Sequence, residues 1–237
     1  PGLALLSRCR PLPAFVLGIE ICEDLWVPAP PSAGLAEAGA TVLINLSASD
    51  ELIGKAAYRR QLVAGQSARL ACGYLYADAG LGESTQDLVF AGHDLICENG
   101  AVLAESERFT TGLIMTELDL GRIAHERRRM NTFGRAERAM TDVWFDLPLR
   151  EVRLTRAFPQ TPFVPADRTD LAARCEEILH LQATGLATRL RHTRAKAAVI
   201  GLSGGLDSTL ALIVTVHAFD MLGWPRSGIQ AVTMPCF

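Results

Sequence analysis

Two short stretches carry residue types whose spacing could do chemistry. The first is Gly201-Leu202-Ser203-Gly204-Gly205-Leu206-Asp207-Ser208, a glycine-rich turn between the apolar run 197–202 and a helix-compatible stretch, 209–222. Glycines between a strand and a helix let backbone N–H groups converge on one point, and the amino terminus of the helix adds positive partial charge, so such a turn suits phosphate. Ser203 and Ser208 add hydroxyl donors. Asp207 adds a carboxylate that makes sense beside phosphates if a divalent cation accompanies them. A helix cap alone would need only one of these groups. The run lacks the lysine of G-x-x-x-x-G-K-[ST] and the spacing of G-x-G-x-x-G. It does satisfy G-x-S-x-G, the strand-to-helix elbow of serine hydrolases, which needs an acid and then a histidine downstream. Only His217 follows, within the very next helix.

The second stretch ends at Cys22, the last residue of the apolar run 14–22 (AFVLGIEIC). A thiolate there could attack an amide or nitrile carbon without metal help. Glu23 and Asp24 do not lower a thiol pKa, so an activating base must come from elsewhere, and a free cysteine can equally pack as a small hydrophobe. The six cysteines, at positions 9, 22, 72, 97, 175 and 236, include no Cys-x-x-Cys pair. That pattern signals neither zinc nor a disulfide framework and fits a reducing cytosol.

The elements that must position these residues follow from periodicity. Residues 14–22 and 41–46 (TVLINL) are expected as buried strands and 32–40 as a short helix between them, a βαβ unit that sends Cys22 and the segment after Leu46 to one sheet edge. A helix is expected over 54–71 and a third strand over 74–78. The Asn99-Gly100 turn predicts a hairpin between 95–97 and 102–104, and 111–118 reads as a further strand. Arg127, Arg128 and Arg129 read as a solvated loop or helix face. Prolines at 159, 162 and 165 mark a linker, beyond which 171–192 is a long helix, and the strands 197–202 and 229–234 flank the helix 209–222.

At residue level the run GLSGGLDSTLA resembles the pyrophosphate-binding signature S-G-G-x-D-S of the ATP-pyrophosphatases, enzymes that adenylate a carbonyl oxygen and expel pyrophosphate. IEICEDLWVPAPPS, ATVLINLSAS, IGKAAYRR and YLYADAGLGESTQDLVFAGHDLICENGAVLAESERF, in that order, resemble the glutaminase domain of glutamine-dependent NAD⁺ synthetases over nearly all of residues 15–110. The resemblance implies an α/β fold: the C-terminal part of a nitrilase-like α-β-β-α sandwich over 1–149, a linker over 150–168, and from 169 to 237 the first βαβ unit of a Rossmann-like ATP-pyrophosphatase domain. It implies that Cys22 is the catalytic nucleophile, that Ser49 and Lys55 contact glutamine, that residues 201–208 bind the nucleotide, and that Asp207 holds Mg²⁺. Glutamine, ATP and nicotinic acid adenine dinucleotide are the implied ligands, with assembly into a homo-oligomer at full length. The family's catalytic Glu and Lys precede the cysteine by several tens of residues, and only twenty-one residues precede Cys22 here.

Composition limits the alternatives. At 49% apolar and 21% charged residues the chain can bury a core, and a net charge of −3 without a long basic run gives no footprint for nucleic acid or a membrane surface. No apolar run approaches the ~20 residues of a spanning helix, and a cytoplasmic location is expected. Starting at Pro1 and stopping soon after a second synthetase strand, the chain reads as an interior piece of a longer protein. A stand-alone nitrilase-type amidase, or a non-catalytic assembly module, stays open as an alternative.

Overall fold

The computed structural model describes residues 4–134, 139–165 and 167–234, so Cys236 lies outside the described residues. The chain divides into two compact units at Ala157/Phe158. The first unit holds a seven-stranded sheet in the order β6-β5-β4-β3-β2-β1-β7, made of β1 (Leu5–Cys9), β2 (Val16–Ile21), β3 (Val42–Ser47), β4 (Gly73–Asp78), β5 (Leu95–Glu98), β6 (Ala101–Glu105) and β7 (Thr141–Phe145). β2, β3 and β4 run parallel, with Ile21 paired to Leu46 and Ser47 to Asp78. Their carboxyl ends are therefore aligned, which is where open parallel sheets place ligands.

The crossovers are short helices that begin where the backbone dictates. α1 (Pro31–Glu37) has proline at its first position, where the missing N–H is no loss. α2 (Lys55–Arg69) starts behind Gly54, whose φ of +85° is left-handed. Both cover one sheet face. On that face β2 presents Val16, Gly18 and Glu20, and an added Cβ at Gly18 would meet Leu43, Ala40 and the Leu35 side chain of α1 at 3.0–3.1 Å. The opposite face presents Ile19, Ile21 and Leu46, all exposed. Leu6, Leu35, Leu43, Val63, Tyr74, Tyr76, Leu95 and Cys97 form the core beneath the helices. Cys72 is buried beside them, and burial pushes its thiol up to about 12.

β5 and β6 pair antiparallel through the two-residue turn Asn99-Gly100, with φ of +47° and +86°, the left-handed pair that a tight hairpin requires. Several elements depart from the sequence reading. Residues 111–119 form no strand; Leu118 instead lays its side chain against Gly73. α3 (Leu120–Arg129), capped by the Asp119 carboxylate accepting from the Arg122 N–H, was not expected, nor were β1 and β7. Arg127 is not simply solvated. Its guanidinium donates to the carbonyls of Leu70 and Ala71 at 3.0–3.2 Å, closing the exposed carboxyl end of α2, and stacks 4.9 Å from the Phe133 ring.

Part of the proline-rich stretch is pinned to the first unit. Arg156 makes a bidentate pair with the buried Glu98 at 2.8 and 3.0 Å, and Glu117 accepts from the backbone and hydroxyl of Thr155 at 2.8 Å. In the second unit α4 (Arg168–Thr193) begins at the Asp167 cap and packs on α5 (Leu206–Leu222) through the small residues Ala183, Ala187 and Ala218. β8 (Ala198–Gly201) and β9 (Ile229–Val232) are parallel, with α5 as their crossover. α5 ends at Gly223, φ +66°, where the Trp224 N–H reaches back to the Phe219 carbonyl at 2.9 Å.

Candidate functional site

β2 stops at Ile21, and the chain turns sharply into a 3₁₀ turn, Cys22–Leu25. Cys22 takes φ +49°, a conformation that costs a residue with a Cβ ~1–3 kcal/mol and survives only where its surroundings impose it. Two contacts impose it here. The Asp24 carboxylate accepts from the Ile21 N–H at 2.8 Å, and the Asn45 amide donates to the Cys22 carbonyl at 3.2 Å. A half-buried thiol thus stands on a strained corner at the carboxyl edge of the parallel strands.

The loop after β3 brings Ser49 and Lys55 to the same edge. Ser49 is buried; its N–H donates to Asp78 Oδ1 at 2.9 Å, at the end of β4, and its hydroxyl accepts from Arg59 at 3.4 Å. Lys55 bends back to donate to the Asp50 carbonyl and carboxylate at 2.7 and 2.8 Å. That hydrogen bond holds the Asp50 carboxyl below its ordinary value. The same ammonium lies 5.6 Å from the ring of Trp26, the residue that closes the turn begun by Cys22, and Trp26 leans on Tyr58 with ring centroids 5.5 Å apart. Cys22, Ser49 and Lys55 are therefore collected on one edge by two successive βα connections. A cleft of about 510 Å³ has Trp26, Tyr58, Gln61 and Arg69 in its wall, and none of Cys22, Ser49 and Lys55 lines it.

Beneath the edge lies a charge network that the sequence reading did not single out. Arg59 is fully buried, pairs with Glu51 at 3.0 Å, lies 3.7 Å from Asp78, and donates to His93 Nδ1 at 3.0 Å. A guanidinium can only donate, so Nδ1 accepts, and Nε2 carries the proton that it gives to Glu105 at 2.9 Å. Burial raises the Asp78 carboxyl above its ordinary value, against the opposing pull of the Ser49 N–H and Arg59. A polar Asn45 inside TVLINL and an aspartate closing YLYAD were the only sequence signals for this layer.

In the second unit the glycine-rich turn is shorter than expected. Leu206, Asp207 and Ser208 already form the first turn of α5, because the Gly205 carbonyl accepts from the Thr209 N–H at 3.1 Å. Gly204 has φ +83°, and a Cβ there would meet nothing within 4 Å, so its glycine is demanded by the backbone and not by crowding. The hydroxyls of Ser203 and Ser208 lie 3.3 Å apart, and no side chain caps the helix. Uncapped N–H groups, two convergent hydroxyls and an open, exposed surface fit a phosphate group. For a cation the turn offers the Asp207 carboxylate, and among the described residues no group of three His, Cys, Asp or Glu could hold a metal. His217 sits further along α5, about 16 Å from its start at 1.5 Å per residue, out of reach of Ser203. Among the described residues the serine-hydrolase reading has no base. No helix among them is long and apolar enough to cross a membrane.

Comparison with known proteins gives a consistent picture. A family model described as NAD synthase matches residues 178–237. Over an alignment of 247 residues the chain is 48% identical to the glutamine-dependent NAD(+) synthetase of Mycobacterium tuberculosis, covering 100% of this chain and 36% of that protein. The glutamine-dependent NAD(+) synthetase of Thermotoga maritima is 28% identical over 92% of this chain and 36% of its own length. The chain thus spans about a third of the length of these relatives. A solved glutamine-dependent NAD+ synthetase from Acinetobacter baumannii, in complex with ADP, aligns with 93% of this chain and 34% of its own at 21% identity, with a TM-score of 0.42.

Proposed function

We propose that this chain is a segment of a glutamine-dependent NAD(+) synthetase and carries parts of both its sites, with 1–149 belonging to the glutaminase domain, 150–168 linking, and 169–237 opening the synthetase domain. The observation that carries the reading is the presence of a strained cysteine corner and an uncapped S-G-G-x-D-S turn in one chain that is similar along its whole length to such synthetases.

In this reading the Cys22 thiolate attacks the side-chain carboxamide carbon of glutamine, and collapse of the tetrahedral oxyanion expels ammonia and leaves a thioester that water hydrolyses to glutamate. The Glu23 N–H, which follows Cys22 into the turn, is a backbone donor suited to that oxyanion. Ser49 and Lys55 hold the glutamine. At the second site a carboxylate oxygen of nicotinic acid adenine dinucleotide attacks the α-phosphorus of ATP and pyrophosphate leaves. Ammonia then displaces AMP to give NAD⁺. Residues 201–208 cradle the phosphates, with Ser203 and Ser208 donating, and Asp207 is the residue that would hold Mg²⁺, which supplies charge neutralisation when bound. The reaction sets the protein among soluble carbon–nitrogen ligases with a cytoplasmic, homo-oligomeric enzyme as the expected form.

An electrophilic glutamine analogue tests the assignment of the nucleophile. Peptide mapping of the labelled synthetase is expected to find the label on Cys22 and to lose it when glutamine competes. Label on Ser203, on another cysteine, or insensitive to glutamine would remove Cys22 from the reaction.

A further inference from the structure

In strand β3 the buried Asn45 stands among apolar neighbours, and packing does not explain it. Asn45 is fully buried on the helix-covered face, between β2 and β4, where an unbonded amide would be costly. Its hydrogen bond gives the reason. Nδ2 donates to the Cys22 carbonyl at 3.2 Å, and the Tyr74 hydroxyl lies on the adjacent strand β4. That hydroxyl donates to Glu20 Oε1, and the second oxygen of Glu20 accepts from the Ser32 N–H at 2.8 Å. Turning the Asn45 amide over would set two oxygens against each other at Cys22, so the bond to the Cys22 carbonyl fixes its orientation. Asn45 Oδ1 has no hydrogen-bond partner among the described residues, and Nδ2 is the atom that bonds the Cys22 carbonyl.

We propose that Asn45 is a positioning residue for the cysteine nucleophile: by holding the Cys22 carbonyl it locks the left-handed corner and presents the thiol at the sheet edge. The inference rests on the reading of Cys22 as nucleophile. Without the donor, Cys22 is free to relax toward extended φ, and a strain of the size typical for such a residue corresponds to about a ten- to hundredfold loss of the presented conformer. Asn45 is fully buried beneath the edge, so the loss is expected on turnover and not on substrate affinity.

The test is made in the full-length synthetase with Asn45→Leu, which removes the donor, and Asn45→Asp, which keeps the volume but replaces the donor by an acceptor. Both are expected to lower kcat for glutamine about ten- to a hundredfold with KM nearly unchanged, to slow alkylation of Cys22 by iodoacetamide by a similar factor, and to leave ammonia-supported NAD⁺ formation intact. If Cys22→Ala abolishes glutamine use while both Asn45 variants keep kcat and alkylation within about twofold, the inference fails and the nucleophile stands. If Cys22→Ala has no effect, the functional reading itself has failed. Loss of glutamine- and ammonia-supported activity together in both variants would assign Asn45 to folding alone and overturn the proposal.

Discussion

Cys22→Ala in the full-length synthetase is expected to abolish glutamine-supported NAD⁺ formation and to spare the reaction fed with free ammonia. Ammonia at high concentration bypasses the thioester, and adenylation at residues 201–208 does not use the thiol. A packing role predicts a different pattern. Removing one sulfur from a half-buried residue would cost on the order of 1 kcal/mol of stability and leave both nitrogen sources equally effective. The left-handed φ of Cys22 sets the residue on a corner at the end of β2 under either reading, so the kinetic pattern and not the backbone separates them. Steady-state rates with the two nitrogen donors, measured on the same preparation, separate the readings: equal retention or equal loss returns Cys22 to the core.

Asp207→Asn is expected to leave glutamine hydrolysis in place and to weaken Mg²⁺-dependent pyrophosphate release. The carboxylate sits in the first turn of α5, beside the uncapped N–H groups that would receive phosphate, and amidation replaces an anionic oxygen ligand by a neutral one. The apparent Mg²⁺ requirement should rise by at least the ten- to hundredfold that loss of even an outer partner of a bound metal typically costs. Pyrophosphate release titrated with Mg²⁺ measures it. An unchanged titration would take Asp207 out of the cation site and leave the turn a binder of phosphate through its backbone and hydroxyls alone.

Local pattern made much of this architecture legible. The apolar runs ending at Cys22 and Leu46, the Asn99-Gly100 turn, and the strand-turn-helix around Ser203 are short-range signals, and each lies within two residues of its place in the structure except the start of α5, which comes three residues early. What escaped was non-local. β1 and β7 are brief strands more than a hundred residues apart whose parallel pairing no window could reveal, and β7 is mostly exposed, so its sequence shows little of the alternation that marks a strand. Residues 111–118 have strand composition but find no partner, and Leu118 fills the space over Gly73 instead. Arg127 looked solvated because a run of three arginines usually is; its stem and guanidinium are used to finish α2, a demand set by the far end of another element.

The same division holds within the candidate sites. Cys22 and residues 201–208 stand out because nucleophiles and glycine-rich turns carry their chemistry in their own residue types. Ser49 and Lys55 were reached only through resemblance, and the structure shows how the loop after β3 delivers them to the edge where Cys22 stands. The supporting layer of Asn45, Arg59, Asp78 and His93 showed in the sequence only as a polar residue inside TVLINL and an aspartate closing YLYAD. Each is an ordinary polar residue until the sheet brings its partners within 3–4 Å.

In the proposed reading one protein releases nitrogen from glutamine at Cys22 and uses it at the S-G-G-x-D-S turn. Glutamine labelled with ¹⁵N in its side-chain amide, supplied with ATP, Mg²⁺ and nicotinic acid adenine dinucleotide, tests both halves together when the product is weighed by mass spectrometry. The account predicts NAD⁺ carrying the label in its carboxamide, one AMP and one pyrophosphate per NAD⁺, and no labelled product from Cys22→Ala. Unlabelled NAD⁺, or labelled NAD⁺ made equally well by Cys22→Ala, would contradict it.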